Sequence, residues 1–269
     1  MTNRQSLYEM MSRKQSCLCV GLDPDPARLP QAVGEGVEGM EAFCHAIVEA
    51  THPYAAAFKP NLAFFEQYGA SGWAALERII ARMPADVLVI ADAKRGDIGN
   101  TAKRYARAMF EGLGAHAITV APYMGKDSVT PFMEEYPDRW TIVLALTSNA
   151  GAEDFEFHGT PPLYQRVVQR CQEWGSPDEL MFVVGATRPE QLREIRSLAP
   201  EHFFLVPGVG AQGGRIEDVM DAAWTTSGGL LINASRSILY ASSGPDFAAA
   251  AAEEARKLQA STAPYFQRL

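Results

Sequence analysis

Val87-Leu88-Val89-Ile90-Ala91-Asp92-Ala93-Lys94-Arg95-Gly96-Asp97-Ile98-Gly99 is the stretch on which the reading of this chain turns. Its β-branched apolar run predicts a strand over Val87 to Ala91, buried on both faces as a parallel sheet requires. The charges then fall at the carboxyl end, where open sheets and barrels carry their chemistry. Period-2 alternation puts Asp92 and Lys94 on one face, and Asp97 lies beyond the Gly96 break. Past it, Ile98, Ala102, Tyr105, Ala106, Met109, Phe110 and Leu113 form an apolar stripe at helical spacing, which predicts a helix over Ile98 to Gly112 packed one-sidedly on a sheet. The plainest alternative for these charges is a solvated loop in which Asp97 caps that helix.

Outward from this unit the pattern repeats. Strands are predicted at Cys17 to Leu22, Ala55 to Lys59, Val87 to Ala91, His116 to Ala121, Thr141 to Leu146, Leu180 to Val184, Phe203 to Val206 and Gly229 to Ile232. Helical segments alternate with them: Met40 to Ala50, Gly72 to Arg82, Ile98 to Gly112, Ser128 to Glu135, Leu163 to Glu173, Pro189 to Leu198, Gly214 to Ala223 and Phe247 to Leu258. Eight β-then-α units without a linker predict one domain over 1–269, a single (β/α)8 TIM barrel of the α/β class. A doubly wound sheet is the structural alternative.

Composition narrows the function. The 269 residues are 47% hydrophobic, enough for a large core, and carry a formal net charge of −8. A broad nucleic-acid face is therefore not expected, and an anionic ligand needs a local cationic pocket. No apolar run approaches membrane-spanning length, and the polar start Met1 to Ser6 resembles no signal segment, so a soluble cytoplasmic protein is expected. Cys17, Cys19, Cys44 and Cys171 have neither paired nor metal-type spacing and read as reduced core thiols. The five histidines are scattered, so no metal site is expected.

Other predicted strand ends repeat the charge theme. The first leads into Asp23, and the second ends in Phe58-Lys59-Pro60-Asn61. With Asp92 and Lys94, two lysines and two aspartates share one rim with Asp97 nearby. Like charges there require opposite ones between them, which an alternating Lys-Asp-Lys-Asp network supplies. The seventh strand runs into Pro207-Gly208-Val209-Gly210-Ala211-Gln212-Gly213-Gly214, formally a G-x-G-x-x-G pattern. Its position in the seventh unit, and Asn233 where a ribose-binding acid would be expected, favour phosphate held by backbone N–H groups over a dinucleotide. Arg236, after the eighth strand, supplies a guanidinium suited to phosphate. The fifth strand ends in Thr147-Ser148-Asn149-Ala150-Gly151, and the long connection to about Thr160 reads as a lid.

Taken together, Asp92-Ala-Lys94-Arg-Gly-Asp97-Ile98-Gly, Gly21-Leu22-Asp23, Phe58-Lys59-Pro60-Asn61, Thr147 to Gly151, Pro207 to Gly214 and Arg236-Ser237-Ile238 closely resemble the orotidine 5′-phosphate decarboxylase family, in its bacterial D-A-K-R-G-D-I-G branch. The resemblance spans about residues 17–240. It implies a (β/α)8 homodimer that converts orotidine 5′-phosphate to UMP without metal or organic cofactor. By the same resemblance Lys94 is the proton donor to C6 and Asp92 lies beside the substrate carboxylate. Lys59 and Asp23 hold ribose hydroxyls, while Asp97, Ile98 and Thr101 reach into the partner's site. Ser148 contacts the pyrimidine and Gln212 and Arg236 the phosphate, with Pro207 and Gly213 also among the substrate-binding residues. The alternative is an Mg²⁺-dependent phosphosugar decarboxylase or aldolase on the same barrel.

Overall fold

The structure, a computed structural model, describes residues 1–209 and 214–267. Eight parallel strands close into a barrel in sequence order, with the first paired to the last. They are β1 (Leu18–Leu22), β2 (Ala57–Pro60), β3 (Leu88–Arg95), β4 (Ala117–Val120), β5 (Trp140–Leu146), β6 (Leu180–Val184), β7 (Phe203–Val206) and β8 (Leu230–Ala234). Seven of the eight lie within two residues of the expected bounds at both ends. β3 does not: it runs through the charged residues to Arg95, so Asp92 and Lys94 sit in the strand and not after it. Phe58, Phe182 and Phe204 are fully buried on the helix-facing side of their strands, as expected for strands covered on both faces.

Helices cover the outside. Gly36–Thr51, Gly69–Ala81, Leu163–Gln172, Pro189–Leu198, Ile216–Ala223 and Phe247–Thr262 correspond to predicted segments, while Ser128 to Glu135 contracts to a single turn at Pro131–Glu134. The helix after β3 spans Gly99–Arg107 and continues as a π-helical turn, Ala108–Gly112. Its stripe is only partly buried: Ala102, Ala106, Met109, Phe110 and Leu113 pack inward, whereas Ile98 and Tyr105 are exposed. Ile98 precedes the first helical residue, and Tyr105 lies beneath the Arg95 guanidinium. Asp97 is not the helix cap. That position belongs to Ile98, and among the described residues the Asp97 carboxylate accepts only the adjacent Ile98 N–H, at 2.8 Å.

The N-terminal segment forms a helix absent from the sequence reading, Arg4–Lys14, entered through an Asn3–Ser6 capping box. It buries Leu7, Met10 and Met11 across the amino-terminal end of the barrel. The Trp140 indole N–H, at the start of β5, donates to the Met1 carbonyl, and the Arg4 N–H donates to Asp178 just before β6. All four cysteines are buried thiols, and burial pushes Cys17, Cys19 and Cys171 up to about 12. Among the described residues, no helix is long and apolar enough to cross a membrane.

Gly72 lets the helix Gly69–Ala81 close on the preceding turn, because a Cβ there would lie 2.0 Å from the Phe65 carbonyl oxygen. Gly72→Ala is therefore expected to lose about 1–3 kcal/mol, the usual cost of forcing atoms into a packed site. A urea midpoint unchanged from the parent would show that the backbone contact relaxes freely.

Candidate active site

The cavity at the carboxyl ends of the strands is lined, among the described residues, by side chains from β1, β2, β3 and the loops after β7 and β8. Asp92 forms its floor. Strand alternation aims this carboxylate inward, and it is only 7% exposed. The Lys59 ammonium donates to its Oδ2 at 2.5 Å, and the Lys94 ammonium donates to Oδ1 at 2.6 Å. Lys59 is itself buried in β2, so it does not snorkel to solvent, whereas the Lys94 side chain is 53% exposed to the cavity mouth.

Burial pushes the Asp92 carboxyl up, but the two lysines outweigh it and hold the group at about 2. For Lys59, burial works against the charge, yet Asp92 and then Asp23 raise its pKa above the ordinary value. The result is a fixed buried carboxylate clamped between two cations, one enclosed and one facing the cavity. Lys94 holds an unusual backbone, φ +46°, in the left-handed region that non-glycine residues rarely enter.

Asp23 enters just past the end of β1, and its Oδ1 is buried without a hydrogen-bond partner among the described residues. A desolvated carboxylate oxygen facing a cavity is suited to a ligand hydroxyl. The Tyr240 hydroxyl fixes this loop, donating to the Asp23 carbonyl at 2.8 Å and accepting the Asp25 N–H at 2.6 Å. The loops after β7 and β8, across the barrel from β3, bring Pro207, Gly208, Val209 and Arg236 to the cavity. Gly208 has φ +96°, a conformation that suits glycine. The glycine loop does not open directly into a helix. Val209 bridges to Gly214, and the helix begins only at Ile216. Gln212 and Gly213 lie outside the described residues.

The structure therefore gathers Asp23, Lys59, Asp92, Lys94, Pro207 and Arg236 about one mouth, but not the four-membered network within one chain. Among the described residues Asp97 makes no ion pair with either lysine, and Asp97, Ile98 and Thr101 do not line the cavity. Ile98 and Thr101 are exposed. Ser148 sits one turn beyond β5 against Gly185, where an added Cβ would meet it at 3.0 Å. The connection that follows is not structureless: Glu156 accepts both the Thr147 N–H and its hydroxyl, each at 2.7 Å, and so ties the Ser148 segment to the turn Ala152–Phe155.

Four polar residues of the site carried no separate signal in the sequence. Asn61, Asn233 and Ser235 also line the cavity. Asn61 stands within a quoted strand end, and Asn233 and Ser235 stand just before Arg236, so a count of every polar residue at the strand ends would have found them. Thr119 donates to Asp92 Oδ1 at 3.0 Å from inside β4. A threonine in an apolar strand reads simply as a strand former.

The family profile of Orotidine 5'-phosphate decarboxylase / HUMPS matches residues 16–252. The chain belongs to that family. Curated family members named orotidine 5'-phosphate decarboxylase include one from Christiangramia forsetii, 49% identical over 98% of this chain and 99% of its own length. Another, from Phocaeicola vulgatus, is 46% identical over 96% and 97%. Among solved family structures, Leishmania donovani OMP decarboxylase is 41% identical with a TM-score of 0.81, covering 96% of this chain and 98% of that one. The Methanocaldococcus jannaschii decarboxylase, complexed with inhibitor BMP, is 25% identical with a TM-score of 0.67, covering 90% and 96%.

The charge arrangement has a measurable signature. Because the folded Asp92 pKa lies below its ordinary 3.8, its contribution to stability is present above that value and is lost as pH falls towards about 2. Lys59→Met removes one cation, raises the folded Asp92 pKa, and is expected to cost about 3–5 kcal/mol at neutral pH, as for other broken buried pairs. The difference from wild type should shrink between pH 4 and about 2, followed by urea unfolding. A difference independent of pH would mean that Lys59 does not stabilise the carboxylate charge.

Proposed function

We infer that this chain is an enzyme that decarboxylates orotidine 5′-phosphate to UMP, the closing step of pyrimidine nucleotide synthesis, working as one catalytic barrel. Its family membership and the names of its curated relatives support the reaction. The observation that carries the chemistry is the buried Asp92 carboxylate clamped between Lys59 and Lys94, with Arg236 across the same cavity.

Breaking the bond between C6 and the carboxylate releases CO2 and leaves the electron pair on C6, where the pyrimidine π-system does not delocalise it. Lys94 meets that charge with its ammonium and transfers a proton from Nζ to C6, regaining one from solvent. Asp92, held ionised, fixes the lysine and crowds the departing carboxylate. Asp23 and Lys59 take the ribose hydroxyls, and Ser148 the pyrimidine. Arg236, with Pro207 and the Gln212–Gly213 segment, binds the phosphate, whose remote binding energy holds the ring in place. No metal or organic cofactor enters this scheme. Expected behaviour is full turnover after exhaustive EDTA dialysis, followed by the ultraviolet absorbance change of the substrate, and loss of turnover by more than about 10³-fold in Lys94→Ala with UMP binding retained. Activity restored only by Mg²⁺ would favour phosphosugar chemistry, and a Lys94→Ala variant within tenfold of wild type would remove the lysine from its role.

The active form is a homodimer in the cytoplasm. Among the described residues Asp97, Ile98 and Thr101 do not line their own cavity, and Ile98, Tyr105, Tyr123 and Met124, from the segments after β3 and β4, leave apolar side chains exposed, Tyr123 at 90%. A second copy covering those side chains would receive Asp97 beside its Lys94. Mixing inactive Lys94→Ala and Asp97→Ala proteins under subunit exchange would then restore about a quarter of all sites, since about half the dimers are mixed and one of their two sites is intact. Mixtures that stay inactive despite exchange verified by native mass spectrometry would place Asp97 in its own chain's site.

A further inference from the structure

We propose that Thr119 is a positioning residue that fixes where the Lys94 ammonium stands. The pairing of β3 with β4 slips between Ala91 and Arg95: these residues face Ile118 and Val120, so four steps on β3 span two on β4. The extra residues bulge out of the ladder, and a bulged backbone N–H has no partner of its own. Lys94 lies in this bulge, and its N–H donates instead to Thr119 Oγ1 at 2.9 Å. The same hydroxyl donates to Asp92 Oδ1 at 3.0 Å, the oxygen that accepts from Lys94 Nζ at 2.6 Å.

A closed ring results: the Lys94 N–H donates to Thr119, Thr119 donates to Asp92, and Asp92 accepts from the lysine's own ammonium. The hydroxyl has one proton to give and lone pairs to receive, and both capacities are used. Thr119 is 1% exposed, so neither substrate nor water competes for it. It ties the left-handed backbone of Lys94 to the carboxylate that orients its side chain. Because Thr119 meets the network from the adjacent strand β4 and is itself buried, it acts through Lys94 and Asp92 and not on the reacting ring.

The inference rests on Lys94 as proton donor, and its test separates the two. Thr119→Val keeps the shape and removes the bridge, while Thr119→Ser keeps the bridge. The Val variant is expected to lower kcat by roughly 10- to 100-fold, the scale of a misplaced catalytic group. Its UMP Kd should stay within about twofold of wild type and kcat of the Ser variant within about threefold, since ground-state binding and the hydroxyl are retained. Wild-type kcat in a folded Val variant, or a Ser variant no better than Val, would overturn the proposal. Should Val misfold, Thr119→Ala takes its place with the same expected loss, and misfolding of both would assign Thr119 to barrel stability instead. Lys94→Ala measured alongside keeps the outcomes apart: full activity there removes the proton donor itself, whereas an inactive Lys94→Ala with a fully active Thr119→Val removes only the positioning role.

Discussion

A carboxylate kept ionised where water scarcely reaches it is the constraint to which the site is built. Removing Asp92 from solvent carries a desolvation penalty that only close cations and hydrogen-bond donors offset. Three donors supply that offset from three strands: Lys59 of β2, Lys94 of β3 and Thr119 of β4. Barrel closure makes this possible, because adjacent parallel strands present their inward residues to one point. The same geometry explains why the lysines are unequal. The enclosed Lys59 is matched by Asp92 and Asp23, and the open Lys94 remains available to whatever occupies the mouth.

Much of this was legible in the sequence. Apolar strand runs alternating with amphipathic segments pointed to a parallel sheet covered by helices, and eight unbroken repeats favoured the barrel over a doubly wound sheet. The inward pairing of Asp92 and Lys94 followed from strand alternation, although Lys94 reaches its position through a bulge and a left-handed backbone that alternation does not describe. Residues whose role depends on a neighbour in space escaped. Thr119 looks like any strand threonine until the slipped register brings the Lys94 N–H to it. The helix Arg4–Lys14 was hidden by its polar majority, because three buried side chains, Leu7, Met10 and Met11, suffice to seat so short an element.

The errors of the sequence reading are informative in the same way. Ile98 and Tyr105 fit a helical stripe by spacing, yet both are exposed. Periodicity identifies a face that wants cover but not which surface provides it, and here the uncovered residues adjoin Asp97. The charge network is a different case: among the described residues of one chain it ends at Lys94, as the reading that sends Asp97 to a partner requires.

The N-terminal helix has a consequence for traffic through the enzyme. By lying across the amino-terminal end, with Met1 and Arg4 bonded to the starts of β5 and β6, it seals the barrel below a buried apolar core. Among the described residues, the mouth at the carboxyl ends of the strands is thus the open end of the barrel. On the proposed reaction, gas, nucleotide and solvent then share the mouth by which the substrate comes, so the loops around that mouth govern arrival and departure alike.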